Sequence, residues 1–166
     1  MTFPDATFDI VCLSNSLHHL VDIPATMKEM QRVVKPSGAI LINEMRSDEL
    51  GETQISHRML HHFAAEIDRS LGLVHDETFS KETILAHLSQ NKTWHVDEEW
   101  NMELPQNEPA TTDEIDQLCT TVDRLINRIK DEPLRQTFIA KGESVKAYLR
   151  SHGFDGATQL LVVLKS

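Results

Sequence analysis

Several kinds of residue are scarce in this sequence of 166 residues, and each scarcity excludes a class of protein. Six glycines and six prolines are too few for a fibrous or disordered chain. Sixteen basic residues against 26 acidic ones give a formal net charge of −10, which disfavours nucleic acid and anionic membrane surfaces as partners. The sequence also lacks a run of about 18 apolar residues that would span a membrane. The only two cysteines, Cys12 and Cys119, have apolar sequence neighbours, so we predict a reduced, cytoplasmic protein.

The first part of the chain has the pattern strand, helix, strand. Residues 7–13 are mostly apolar and β-branched, which predicts a strand buried on both faces. A helix is predicted for residues 23–34, with Pro24 in its first turn, and a second apolar strand for residues 39–42. Because two strands joined by a helix form a right-handed crossover, we expect them to lie parallel in one sheet.

The rest of the chain predicts a helical part and two more strands. Residues 55–71 form an amphipathic pattern, and this helix is expected to lie on a sheet face. Two consecutive helices within 111–150 are expected as an insertion, the first opened by capping-box residues Thr111 and Glu114. The remaining predicted elements are a short helix at 81–89, a strand with one solvated face at 94–104, and an apolar C-terminal strand at 157–164.

Three segments of the first crossover carry a family resemblance. They are FPDATFDIV at residues 3–11, SNSLHHL at 14–20 and RVVKPSG at 32–38. Together they closely resemble class I S-adenosylmethionine-dependent methyltransferases. The resemblance implies an α/β protein equivalent to the C-terminal half of that Rossmann-like fold. We therefore expect one partial domain over residues 1–166, a mostly parallel sheet of about four strands with an antiparallel C-terminal strand, and a helical insertion at about 111–151.

The family's glycine-rich cofactor loop is missing from this sequence. The resemblance places that loop before the segment that matches here, and none of the six glycines forms an equivalent after a strand. We therefore expect a truncated enzyme that is weakly active or inactive alone. Without a neighbouring strand, the strand that begins at Phe8 and ends at Leu13 would expose an unpaired edge. This predicts self-association or pairing with a separate N-terminal half.

Polar residues follow both strands of the crossover, where α/β sheets bind their ligands. By resemblance, the loop after the first strand faces the methionine part of S-adenosylmethionine, which makes Ser14, Asn15 and Leu17 the cofactor-binding candidates. The alternative is that the polar residues of this loop only terminate the strand and cap the next turn.

Three residues are candidates for catalysis. A methyl acceptor that must lose a proton needs a base, and His18 and His19 lie at the expected mouth of the pocket. Glu44 at the end of the second strand is a further candidate as base or as a group that orients the acceptor. The alternatives are a structural turn for the two histidines and a solvated carboxylate for Glu44.

Other conspicuous residues favour structural roles. His57 and His61 have the i, i+4 spacing of a metal-binding pair, with His62 adjacent. Glu66 or Asp68 would have to complete the ligand set, and the motif HExxH is absent, so we predict a solvated helix face and no metal. Trp94 and Trp100 alternate on a half-buried strand and are expected in the core rather than in an acceptor pocket.

Three functions follow from this sequence. The first is an S-adenosylmethionine-dependent methyltransferase with a small-molecule acceptor, for which the insertion at 111–150 would act as a lid. The alternative is a non-catalytic methyltransferase-like module for binding or interaction. A nicotinamide-dependent oxidoreductase is disfavoured because Tyr148, the only tyrosine, is followed four positions later by His152 and not by lysine.

Overall fold

The computed structural model describes residues 2–89, 93–103 and 108–166. Within these residues four strands and five α-helices are formed, and a short 3-10 turn spans Leu17–His19. In chain order the elements are β1 Phe8–Ser14, α1 Ile23–Val33, β2 Val34–Met45, α2 Glu52–Ser70, α3 Lys81–Leu88, β3 His95–Met102, α4 Thr112–Ile126, α5 Glu132–His152 and β4 Gln159–Lys165.

The chain divides into two compact units. The sheet unit contains all four strands with α1 and α3, and the helical unit contains α2, α4 and α5. The insertion expected at about 111–151 lies in the helical unit, whereas the assignment of a single partial domain stays a prediction. The sheet unit comprises Met1–Asp48, Thr78–Met102 and Thr158–Ser166, and the helical unit comprises Glu49–Glu77 and Glu103–Ala157.

The sheet has the strand order β1-β2-β4-β3. Strand β1 is parallel to β2, and β4 is antiparallel to both β2 and β3. Three of the four strands therefore point the same way, and only the C-terminal strand is reversed. This confirms the predicted α/β fold class and the parallel crossover. It also brings the carboxyl ends of β1, β2 and β3 to one edge of the sheet.

Gly38 is required by the close approach of β1 and β2 near their beginning. A Cβ atom at this position would lie 2.5 Å from the carbonyl oxygen of Asp9. The pairing register shifts between Phe8 and Ile10, and β2 already begins at Val34. The second strand is therefore longer than the predicted residues 39–42.

One face of the sheet forms the core of the sheet unit. Paired residues share a face, so Val11 opposite Ile40 and Leu13 opposite Ile42 point to the same side. Helix α1 begins where the Asp22 carboxylate accepts the Ala25 N–H, and it packs its methionines on this face. The fully or nearly fully buried members are Leu17, Met27, Met30, Val34, Ile40, Ile42, Ile84, Leu88, Trp94, Leu160, Val162 and Leu164.

The other side of both edge strands is more exposed than the sequence predicted. Strand β1 was expected to be buried on both faces, but Ile10 is 57% exposed and Cys12 is also exposed. In β3 the register shifts between Val96 and Glu98, which breaks the predicted alternation. Trp94 is buried as expected, whereas Trp100 is 43% exposed, so its core assignment was wrong. Leu104, predicted to end this strand, lies outside the described residues.

The helical unit has its own apolar core. Phe63 and Ile67 of α2 pack with the apolar stripe of α4 and with Phe138 of α5. Helix α2 therefore contributes its apolar face to the core of the helical unit. The expectation that α2 lies on a sheet face stays a prediction. The predicted capping box of α4 is confirmed, with the Thr111 N–H donating to Glu114 over 2.7 Å.

No helix within residues 2–89, 93–103 and 108–166 is both long enough and apolar enough to cross a membrane.

Candidate functional site

The loop after β1 turns sharply at the carboxyl edge of the sheet. The Asn15 N–H donates to the Asn43 carbonyl and extends the pairing of β1 with β2 by one residue. Asn15 then adopts a left-handed backbone with φ of 44°, a conformation that asparagine tolerates better than most residues. Its side-chain oxygen accepts the Met45 N–H over 3.1 Å. Asn15 therefore fixes the start of this loop against the end of β2.

The Glu44 side chain, near the end of β2, binds the part of the loop that follows Asn15. Its carboxylate is fully buried, and Oε2 accepts the N–H groups of Ser16 at 3.1 Å and Leu17 at 2.8 Å. The other oxygen, Oε1, lies 2.6 Å from Nδ1 of His18. A buried carboxylate is stable only when its oxygens are hydrogen-bonded, and these three donors meet that requirement. Glu44 thus connects the end of β2 to three consecutive residues of the loop.

The two adjacent histidines have different environments. His18 is 1% exposed, whereas His19 is exposed, and their ring centroids are 4.4 Å apart. Because an ionised carboxylate only accepts hydrogen bonds, His18 donates from Nδ1 to Glu44. In the neutral ring this leaves the lone pair on Nε2. Glu44 therefore fixes the orientation of the His18 ring, and the catalytic roles of His18, His19 and Glu44 stay predictions.

The three cofactor candidates are placed differently from one another. Ser14 and Asn15 are exposed at the carboxyl edge, and the Ser14 hydroxyl accepts a hydrogen bond from the Asn43 side chain at 3.2 Å. Leu17 is fully buried in the core of the sheet unit. Ser14 and Asn15 are therefore accessible at this edge of the sheet, whereas Leu17 is not. The predicted roles of Ser14, Asn15 and Leu17 stay predictions.

Arg46 is a buried charged residue to which sequence reasoning gave no role. It is 2% exposed, and its guanidinium donates to Asp48 at 3.1 Å and to the Asn101 side chain at 2.9 Å. Burial alone would raise the pKa of Asp48, but hydrogen bonds from Arg46 and from the Lys81 N–H lower it. Their positions in the sequence could have indicated that Arg46 and Asn101 meet. Arg46 directly follows β2, Asn101 lies near the end of β3, and these two strands point the same way.

The three histidines of α2 that were considered as metal ligands point to different partners. His57 accepts the Ala157 N–H at Nδ1, and burial lowers its pKa despite the nearby charge of Asp155. His62 lies 3.4 Å from Glu77. His61 instead packs against His75, with ring centroids 5.0 Å apart. The spacing within α2 therefore does not bring these three imidazoles to one point.

Comparison with known proteins shows which families and relatives this chain is similar to. Residues 1–42, about a quarter of the chain, match the methyltransferase domain family. This part of the chain is therefore similar to methyltransferase domains. A demethylmenaquinone methyltransferase of Corynebacterium urealyticum is 48% identical over 44 residues, which cover 26% of this chain and 19% of that protein. The mitochondrial arginine-hydroxylase of Rattus norvegicus is 33% identical over 89 residues, which cover 53% of this chain and 24% of that protein.

Solved structures show the same fold over nearly the whole chain. A cyclopropane-fatty-acyl-phospholipid synthase-like protein of Lactobacillus casei superposes with a TM-score of 0.65 at 16% identity, covering 98% of this chain and 57% of its own. A SAM-dependent methyltransferase of Methanosarcina mazei gives 0.50 at 13% identity, covering 100% of this chain and 62% of its own. The resemblance seen in the sequence is thereby confirmed. The matched segments span only about a fifth to a quarter of the two curated relatives' length.

Proposed function

We propose that this chain supplies the acceptor-facing half of an S-adenosylmethionine-dependent methyltransferase that acts on a small molecule. The observation that carries the proposal is the loop of residues 14–19, which Glu44 anchors at the carboxyl edge of a methyltransferase-like sheet. The net charge of −10 favours a small acceptor over nucleic acid. Several relatives are named for methylating small molecules, among them demethylmenaquinone and a sterol.

Each candidate residue has a distinct role in this proposal. S-adenosylmethionine would supply an electrophilic methyl group, so the protein has mainly to align the acceptor and to take up its proton where one is lost. Ser14 and Asn15 would contact the cofactor from the edge of the sheet. His18, oriented by Glu44 through Nδ1, would hold the acceptor's proton at Nε2, and the exposed His19 would contact the acceptor.

Cofactor binding in this proposal requires a segment from outside these 166 residues. The six glycines do not form a glycine-rich turn after a strand, and such a turn is what lets backbone approach a nucleoside cofactor. Strand β1 is an edge strand with β2 on one side, so its other side is the place where this segment would pair. The segment can be continuous with this chain or a separate polypeptide.

Calorimetry with S-adenosylmethionine tests the proposal. The chain is titrated alone and after mixing with the N-terminal part of a class I methyltransferase, chosen to include a glycine-rich loop. We expect heat of binding in the mixture that exceeds the heat seen with either component, and no such heat with NADH in place of the cofactor. Equal heats in the mixture and in the N-terminal part alone would refute the proposal.

A non-catalytic interaction module is the second candidate function. It is favoured by the open edge of β1, where Ile10 is 57% exposed. The fold by itself does not fix the chemistry, since one relative is named as an arginine-hydroxylase. This alternative predicts association through β1 without any cofactor binding, whereas the first proposal requires both.

A cytoplasmic location is also part of the proposal. It is supported by Cys12 and Cys119, which are both free thiols in the structure, because disulfides are rare in that compartment. Exposure of Cys12 on β1 makes the location testable, since an oxidising compartment would drive this thiol into mixed or intermolecular disulfides.

A further inference from the structure

The segment after α2 folds back along its own helix. Gly72 has φ of 81°, the left-handed conformation that reverses the chain, and the Leu73 N–H donates to the Asp68 carbonyl at 3.0 Å. The Arg69 guanidinium then donates to the His75 carbonyl at 2.8 Å. These bonds hold His75 beside α2, although it lies five residues beyond the helix end.

The fold-back places a second imidazole next to one from α2. The rings of His61 and His75 are 5.0 Å apart at an interplanar angle of 84°, and a ring nitrogen of each lies within 4.8 Å of the other. His75 is 7% exposed. The Nδ1 atom of His61 and the Nε2 atom of His75 are both shielded from solvent. Two shielded imidazole nitrogens thus lie close together within the helical unit.

Asp68 orients His75 from the other side of the ring. Its Oδ2 lies 2.7 Å from Nδ1 of His75, and its Oδ1 lies 2.5 Å from the Arg128 guanidinium. Asp68 thus contacts both His75 and Arg128, and these two contacts fix the position of its carboxylate. A carboxylate that accepts from Nδ1 leaves Nε2 of the neutral ring as the ligand atom, which is the usual outer-shell partner of a metal-bound histidine.

We propose that His61 and His75 bind a divalent transition-metal ion of the zinc class, with Asp68 as the positioning residue. Imidazole nitrogen is a preferred ligand of Zn²⁺, whereas Mg²⁺ and Ca²⁺ prefer oxygen. Bonds of about 2.0–2.1 Å to a tetrahedral ion put two ligand atoms roughly 3.3 Å apart, so a modest side-chain rotation closes the gap. The remaining coordination positions are open to water or another exchangeable ligand. Neither the methyl transfer nor the cofactor enters this proposal.

Nuclear magnetic resonance of the full chain labelled with ¹⁵N-histidine tests the site, with Zn²⁺ alone as the probe. We expect the ring-nitrogen signals of His61 and His75 to shift together and to saturate before the signal of His62, which lies beside Glu77. Co²⁺ in place of Zn²⁺ is expected to give a visible absorption band. Zinc titration that leaves both histidines unshifted would overturn the proposal.

Substitutions separate the site from general zinc binding by histidine. H61A and H75A should each abolish the early zinc-dependent shifts, and D68N should weaken Zn²⁺ binding by about 10–100-fold while leaving both imidazoles in place. H62A is the matched control, because His62 is adjacent on α2 but faces Glu77. Equal loss of binding in H62A and H61A would contradict the assignment. If H75A fails to fold, H61A and the signals of the unaltered chain still decide the question.

Discussion

At the scale of single residues, Glu44 is the side chain on which the candidate site depends. One buried carboxylate satisfies the N–H groups of Ser16 and Leu17 together with Nδ1 of His18. Breaking such a network leaves buried donors without acceptors. The resulting loss of folding free energy is larger than the net stabilisation that the hydrogen bonds themselves provide. Glu44 therefore acts on the loop and on His18, and the structure gives it a positioning role beside its predicted role as base.

Replacing Glu44 by Gln should destabilise the protein. The amide oxygen can still accept the Ser16 and Leu17 N–H groups, but the NH₂ group then faces Nδ1 of His18 and the charged acceptor is lost. We therefore expect the free energy of unfolding to fall by about 1–3 kcal/mol. Glu98→Gln is the control, because Glu98 is exposed on β3 and should change stability by less than about 0.5 kcal/mol. Urea unfolding measures both. Similar small changes in the two variants would contradict the anchoring role.

His57 should make stability depend on pH. It accepts the Ala157 N–H at Nδ1, and burial holds its pKa below the usual value of 6.5. The unfolded chain therefore binds more protons near pH 6, so this contribution is present above about pH 6.5 and is lost as pH falls toward the folded pKa. His57→Asn, which keeps an acceptor near the Nδ1 position, should lose less stability between about pH 7.5 and about pH 5.5. An unchanged pH dependence in urea unfolding would refute this.

At the scale of elements, local signals predicted positions and directions but not packing partners. Pro24 within the first turn of α1, the capping box at Thr111 and the apolar run of β4 each identified their elements correctly. The exposure of β1 could not be read from its apolar run, since burial depends on which elements cover the strand. In β3, one register shift moved Trp100 to an exposed position, and a shift of this kind leaves no mark in the residue pattern.

The open edge of β1 should mediate association. Asn15 bonds to β2, and strand residues alternate, so the N–H and C=O groups of Ile10 and Cys12 point away from the sheet. We expect light scattering to show concentration-dependent association of the chain, and Ile10→Lys to suppress it through charge on the edge strand. Val21→Lys is the control, because Val21 is 85% exposed outside the strands. A monomer at all concentrations, or equal effects of both variants, would contradict the prediction.

At the scale of the whole molecule, the sequence predicted the sheet more completely than the site. Strand direction follows from the crossover and from the family resemblance carried by segments within residues 3–38. The hydrogen bonds of Glu44 and the contact of Arg46 with Asn101 depend on side chains far apart in the sequence, so no local pattern predicts them. The sequence also did not predict the helical unit as a separate unit. Helix α2 shares its core with α4 and α5, which lie far from it in the sequence.

The most direct test of the central claim follows the backbone amide signals of residues 14–19 by nuclear magnetic resonance. S-adenosylmethionine is added to the labelled chain in the presence of the unlabelled N-terminal part of a class I methyltransferase. If the chain supplies the acceptor-facing half of the site, the signals of Ser14 and Asn15 and those of the Glu44-bonded amides, Ser16 and Leu17, will shift on addition of the cofactor. Shifts confined to other parts of the chain, or none in this loop while the N-terminal part binds the cofactor, would contradict the account.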